Sequence, residues 1–499
     1  MEDFKKINFG KADAYKELSH HPDLLDHGFL DNSGYIDKIL NKEHFFVVGD
    51  KGSGKSEIAC KFRRLEESHD NLFTNIVDLK DFPYTQFPSF IPNKEMEMRR
   101  RENWKFLLLF SLLGSFERDI GCTSTGIYSL NDVIEKLTDL GIPPKTALNN
   151  RNISEIVKIT ARSGFSIKIP TILEGFYSQE KELSYHKNTN RMLYELLHEC
   201  VHTLKTPSKH IIFYDGLDEI LNKVEQQLEK KFSSISSLII AANDINDSLR
   251  MANVNAKIVV MCRRDLYNKF WDSNINKIFQ DSALPLNWFS PDLNNSNLIK
   301  LINLRASLSL GKPVNVIQDF FPTELGNKES IKMIFEHTRH KPRDIVELMN
   351  YLQNHSRHDN KGIIIPESFW AGISDYSEAY FIEEIKNDLV GFMTRADAEK
   401  IFQIIEYIGN TKFHLNDVEH KIAEDPRFKG IKLTEAFNSL FECGAIGNYN
   451  KRNHRYYWKY ENPSRKLSPD WFIVVHKGLH YTLNLKWREL DRGRRVTYD

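Results

Sequence analysis

Apolar residues follow two rhythms along this chain. Apolar-rich runs at 45–48, 73–79, 210–214 and 256–262 read as strands buried on both faces, which have no polar side to alternate with. Residues 56–62 read as a helix with Ile58, Ala59, Phe62 and Leu65 on one face, and 103–117 read as a strongly apolar helix. Strands separated by helices predict an α/β core with a parallel sheet. A short helix within 29–40 leads into the first strand, and Phe29 and Tyr35 there are candidate neighbours of a bound base.

The rhythm turns helical in the second half. Leu298, Leu301, Ile302, Arg305 and Leu308 form one periodic set, and a further helix starts near His340 with Pro342 suited to its first turn. Further on, Ile401, Ile404, Ile405 and Ile408 make a stripe, 414–422 a short second helix, and Leu433, Ala436, Phe437, Leu440 and Phe441 a third. Two aromatic-rich runs, 445–449 and 455–460, follow as a hairpin with a basic tip. Three helices and a hairpin are the order of a winged helix. The expected organisation is therefore a nucleotide-binding core over 1–290 with an inserted subdomain at about 121–208, a helical lid over 291–384, a winged-helix domain over 385–485 and a basic tail over 486–499.

Composition narrows the partners. In 499 residues, 68 Lys and Arg balance 68 Asp and Glu, so any nucleic-acid surface must be a local patch. The longest apolar stretch, 106–116, is too short to span a bilayer, and the N-terminus lacks the apolar segment of a signal peptide; a cytoplasmic protein is expected. The five cysteines are scattered and read as reduced thiols.

The chemistry concentrates where the first strand meets the first helix. Gly49-Asp50-Lys51-Gly52-Ser53-Gly54-Lys55-Ser56 is a complete G-x-x-x-x-G-K-S phosphate loop. Its glycines let successive N–H groups turn toward phosphate oxygens, Lys55 supplies charge at the β- and γ-phosphates, and Ser56 can ligate magnesium. Glu57 stands in the first helical turn beside this loop, and the nucleotide contacts are expected from residues 49–57. ATP and Mg²⁺ are the expected ligands. The string Asn327-Lys328-Glu329-Ser330 lacks the aspartate of a guanine-recognition motif.

A second centre is 210–220, where an apolar strand delivers Asp215 to the sheet edge as a magnesium ligand. Asp218 and Glu219 follow within a turn; Glu219 is the expected base for the attacking water, with Asp218 as runner-up. Arg263, at the end of another buried strand, is the candidate γ-phosphate sensor, with a structural salt bridge as the competing role. Arg343, beside Pro342, is expected to face outward where a lid could close over nucleotide. Arg99-Arg100-Arg101 reads as a solvated helix end.

In order along the chain, these motifs resemble the AAA+/STAND division of P-loop ATPases. Asp215-Gly216-Leu217-Asp218-Glu219 is similar to the acidic motif of NACHT proteins, Met261-Cys262-Arg263 sits at their sensor, and Lys341-Pro342-Arg343-Asp344 resembles the lid motif near sensor 2. Residues 9–14, the phosphate loop and 474–479 resemble a bacterial P-loop ATPase family found in defence or mobile-element neighbourhoods. The resemblance implies a Mg-ATP switch coupling nucleotide state to a partner or to self-association, in antiphage defence. It departs from AAA+ enzymes at Gly216, which stands where a catalytic glutamate would follow the aspartate; slow or partner-stimulated hydrolysis is implied.

Two alternatives stand beside this reading: a DNA-binding protein using ATP as a regulatory ligand, with Lys451, Arg452 and Arg455 on phosphates, or an ATPase subunit whose effector is another chain. The exposed face expected for the third helix of the winged helix, Lys432, Thr434, Glu435, Asn438, Ser439 and Glu442, is too acidic for a groove reader, which puts protein contact ahead of DNA.

Overall fold

The computed structural model describes residues 3–80, 96–144, 189–217, 228–268, 270, 272–389, 392–423 and 425–485. Asp218, Glu219 and the basic tail lie outside them, as do residues 145–188 of the insertion. The chain divides into two compact units, one of Ser33–Asp50 and Lys55–Leu286, the other of Met1–Asn32, Lys51–Gly54 and Asn287–Asp499.

The first unit is built on a parallel sheet. Its strands are β1 (Phe46–Gly49), β2 (Leu72–Asp78), β3 (Lys209–Asp215), β4 (Ala256–Arg263) and β5 (Ala283–Leu286), in the spatial order β2-β3-β4-β1-β5 among the described residues. β1 lies between β4 and β5, with Gly49 opposite Arg263 and Leu286; Asp78 lies opposite Asp215 at the end of the β2–β3 pair. Helix α1 (Lys55–Ser68) follows the loop and buries Ile58, Ala59, Cys60 and Phe62. Helices α2 (Met96–Phe116), α3 (Thr189–Thr203) and α4 (Leu228–Met251) contribute to one apolar core with the sheet.

One sequence expectation changes here. The apolar helix begins earlier than residue 103, so Arg101 lies inside α2 and its guanidinium bonds Asp244 Oδ2 of α4 at 2.9 Å through Nε. Arg101 thus has an inter-helix partner while its side chain stays 39% exposed, and the side chains of Arg99 and Arg100 lie outside the described ones. Val133, Leu137 and Leu196 of the insertion belong to the same apolar core as β3 and β4, because α3 packs against α2, which itself lies against the sheet.

The second unit is mostly helical. α5 (Asn297–Leu310) buries Leu298, Leu301, Ile302 and Arg305, whereas Leu308 is exposed and leaves the expected set. Arg305 is buried because Glu17 meets it: Nη2 donates to Oε1 at 2.8 Å, Nη1 bonds Phe9 O at 2.7 Å, and both side chains are 2% exposed. α6 (Pro342–His355) opens on Pro342, whose missing N–H costs nothing at a helix start. After α7 (Pro366–Asp375) comes a π-helical turn, Tyr376–Phe381, then α8 (Ile382–Leu389).

Residues 395–475 of this unit hold α9 (Arg395–Ile408), α10 (Leu415–Ile422) and α11 (Leu433–Glu442). With them, β6 (Lys412–Phe413), β7 (Ile446–Asn450), β8 (Arg455–Tyr457) and β9 (Phe472–Val475) form an antiparallel sheet in the order β6-β9-β7-β8 among the described residues. Ile401, Ile404, Ile405, Phe437 and Leu440 are fully buried in the core shared with α5 and α6. Ser439, expected on the outer face of α11, is buried, and its hydroxyl bonds back to Glu435 O at 2.9 Å.

Candidate functional site

In the α/β unit, the ends of β1, β3 and β4 gather the groups with chemistry. Lys55 is 6% exposed, and its ammonium donates to Gly49 O and Asp50 O, each at 3.0 Å. Ser56, one residue on, donates from Oγ to Asp215 Oδ2 at 2.6 Å. The second oxygen of Asp215 accepts from Gly216 N–H at 2.8 Å. An aspartate held by a hydroxyl and a backbone N–H offers fixed hard oxygens, the donor type that magnesium takes.

Gly216 has φ +81°, and a Cβ there would come within 2.2 Å of Asp78 Oδ1. The turn after β3 therefore requires glycine, both for its left-handed backbone and for the close approach of Asp78. The sequence marks Asp78 only as part of a strand; the β2–β3 register, which a sequence does not reveal, places it beside Asp215.

Arg263 forms a bidentate pair with Asp265, Nε to Oδ1 at 2.9 Å and Nη2 to Oδ2 at 2.6 Å. The competing structural salt bridge is thus formed. Its neighbour Arg264 reaches the loop instead: Nε lies 3.5 Å from Asp50 Oδ1 and Nη2 donates to Leu286 O at 3.0 Å. Asp50 thus has a basic partner in this unit. Glu57 is half-buried in the first turn of α1.

The loop residues grouped with the helical unit are held differently. Gly52 and Gly54 have φ +79° and +91°, a backbone that L side chains rarely adopt. Gly52 O accepts from Arg343 N–H at 3.3 Å, and a Cβ at Gly52 would meet Arg343 Cβ at 3.1 Å. Ser53 O accepts from Trp288 Nε1 at 2.9 Å, while Ser53 Oγ is buried with no hydrogen-bond partner among the described residues. Lys51 Nζ lies 3.6 Å from Glu384 Oε2 and 3.7 Å from Asp388 Oδ1.

Arg343 does not face outward. Its Nε donates to Ala12 O at 3.1 Å, its Nη1 lies 3.5 Å from Glu384 Oε1, and its side chain is 27% exposed. The carboxylate of Glu384 raises the Arg343 pKa against the cost of burial. Arg339 is almost fully buried between two aspartates, with Nε and Nη2 on Asp344 at 2.9 and 3.0 Å and Nη1 on Asp388 Oδ2 at 2.7 Å. Burial would push the Asp344 carboxyl up, but the charge and hydrogen bonds of Arg339 hold it down to about 2. The basic spacing around Pro342 pointed to this corner, but its acidic half, Glu384 and Asp388, lies beyond a π-helical turn that no periodicity reveals.

Phe29 is half-buried and Tyr35 is buried at the start of a short helix, Tyr35–Asn41. Lys451, Arg452 and Arg455 are exposed at the β7–β8 turn, as expected. Among the described residues there is no group of three or more His, Cys, Asp or Glu placed to hold a metal, and no helix long and apolar enough to cross a membrane. None of the five cysteines is in a disulfide; burial pushes Cys200 up to about 12 and Cys122 to about 11, so neither is an activated thiol.

Residues 296–383 are similar to a protein family described as the FunZ-associated C-terminal helical domain. That span takes in α5, α6, α7 and the π-helical turn. None of the curated proteins compared with the chain matches it. Among the matching solved structures is Cdc6p from Pyrobaculum aerophilum, 11% identical over 95% of this chain and 95% of that one, with a TM-score of 0.28. A likeness of that size says nothing about the chemistry here. The phosphate loop on a parallel α/β sheet makes the first unit a P-loop core on its own residues.

Proposed function

We propose that this chain binds Mg-ATP at residues 49–57, hydrolyses it slowly, and acts as a nucleotide-dependent switch of the AAA+/STAND, NACHT-like type. The observation that carries the reading is the 2.6 Å contact of Ser56 Oγ with Asp215 Oδ2 beside a buried Lys55. Those residues fit the ligand. Positive-φ glycines leave the loop's N–H groups room to converge, the orphaned Ser53 hydroxyl is a further polar group in the loop, and Ser56 with Asp215 supplies oxygen donors for magnesium. Ser56 and Asp215 would hold the magnesium, which when bound would offset phosphate charge.

In this reading Lys55 neutralises the terminal phosphates, Arg264 and Arg343 complement Arg263 as candidate sensors, and Glu219, with Asp218 as alternative, polarises water. Helices α5–α8 act as a lid, and α9–α11 with their sheet act as a winged helix that hands the state to a protein partner or a second copy, in antiphage defence. The exposed Lys451, Arg452 and Arg455 favour a second reading, in which that turn holds DNA phosphates without sequence preference.

Steady-state ATP turnover, with and without double-stranded DNA, tests both readings. Turnover lost in Lys55→Ala and Glu219→Gln supports the first, and stimulation by DNA supports the second. Turnover retained in Glu219→Gln moves the base to Asp218; turnover retained in Lys55→Ala contradicts the site.

A further inference from the structure

Lys51 is the one phosphate-loop side chain, among the described residues, paired with carboxylates of the helical unit. Glu384 and Asp388 stand one turn apart on α8, so both face the same way, and their side chains are only 15% and 5% exposed. A pair of carboxylates on a phosphate-binding loop is unexpected, because phosphate and carboxylate compete for the same cation. The acids do not depend on Lys51 for charge balance. Asp388 Oδ2 already accepts from Arg339 at 2.7 Å with Lys341 Nζ at 3.7 Å, and Glu384 already faces Arg343. Lys51 can therefore leave without stranding a buried charge.

The same acids lead away from the loop. Arg339, held by Asp388 through Nη1, also donates from Nη1 to Cys443 O at 3.4 Å, where Cys443 caps the end of α11. The π-helical turn just before α8 is closed by Ile382 N–H on Ser377 O, five residues back. That turn sets the rotational phase of α8. Its conversion to α geometry would rotate the acids by roughly 100°.

We propose that Glu384 and Asp388 form a latch that competes with nucleotide phosphates for Lys51, and that Asp388 passes Lys51's release through Arg339 to the C-terminal end of α11. This rests on the reading of residues 49–57 as the nucleotide site. Lys51, Glu384 and Asp388 are positioning residues, setting how tightly a phosphorylated ligand is held and reporting its arrival.

The test is equilibrium binding of a non-hydrolysable ATP analogue to the full chain, alongside Lys55→Ala. Glu384→Gln is expected to bind about 5-fold tighter or more than wild type, and the gain is expected to vanish in a Lys51→Met background. Because Glu384 also touches Arg343, a gain that survives Lys51→Met assigns the effect to Arg343 and overturns the latch. No gain at all overturns it too. Binding by wild type that Lys55→Ala does not reduce defeats the nucleotide reading itself, a separate outcome from failure of the latch. Hydrogen exchange around 440–446 should rise on analogue binding in wild type and be raised beforehand in Glu384→Gln. Unchanged exchange in a variant with tightened binding overturns the relay to α11. Thermal melts of each variant identify any that fail to fold, and Asp388→Asn serves as the second variant.

Discussion

Ser56 Oγ donates to Asp215 Oδ2 at 2.6 Å although β4 lies between β1 and β3, the strands that deliver them. The start of α1 thus reaches across the intervening strand to the end of β3. Asp215→Asn keeps the shape and removes the charge. It should weaken the apparent Mg²⁺ affinity of nucleotide binding by about 10- to 100-fold, read by titrating Mg²⁺ at fixed ATP. An unchanged Mg²⁺ midpoint would remove Asp215 from the metal site.

Gly216→Ala should destabilise the α/β unit by about 1–3 kcal/mol, since it imposes a strained φ and drives a methyl into Asp78. Urea unfolding measures it. Stability equal to wild type would mean the turn relaxes freely and Asp78 is not packed as described.

Glu17 and Arg305 test the second unit. Removing one partner, in Glu17→Gln or Arg305→Met, leaves the other charge buried and should cost about 3–5 kcal/mol, whereas replacing both together should cost less than the sum. Additive losses would show that the pair is not energetically coupled.

Acid sensitivity follows from buried histidines. His337, His340 and His480 are pushed down to about 4, chiefly by burial. Their folded pKa lies below the unfolded value of about 6.5, so the unfolded chain binds the extra protons. Each contribution is complete above that value and is lost as pH falls toward 4, amounting to about 2 kcal/mol per histidine by pH 5. Urea midpoints should therefore drop between pH 7 and pH 5, and less so in His480→Asn. A flat profile over that window would contradict the burial of these rings.

Much of this was legible in the chain because its signals are local. The phosphate loop is contiguous, β3 and β4 are apolar runs with charged ends, and Ile401, Ile404, Ile405 and Ile408 mark one helical face that is buried. What escaped depends on residues far apart. Leu308 fits the 3.6-residue rhythm of α5 yet lies exposed, whereas Arg305 in the same rhythm is buried because Glu17, nearly three hundred positions away, neutralises it. The sequence alone leaves Arg343 facing outward, because nothing local announces Ala12 or Glu384 as its partners. Arg263 sits two residues from Asp265, so that pairing was visible, and it leaves Arg264 to face Asp50.

The central claim is that Lys55 makes residues 49–57 a nucleotide site. Calorimetric titration of the purified chain with Mg-ATP measures it directly. Saturable binding that Lys55→Ala weakens by about 100-fold or more is the predicted result. Equal binding by wild type and Lys55→Ala, or no binding by wild type, would contradict it.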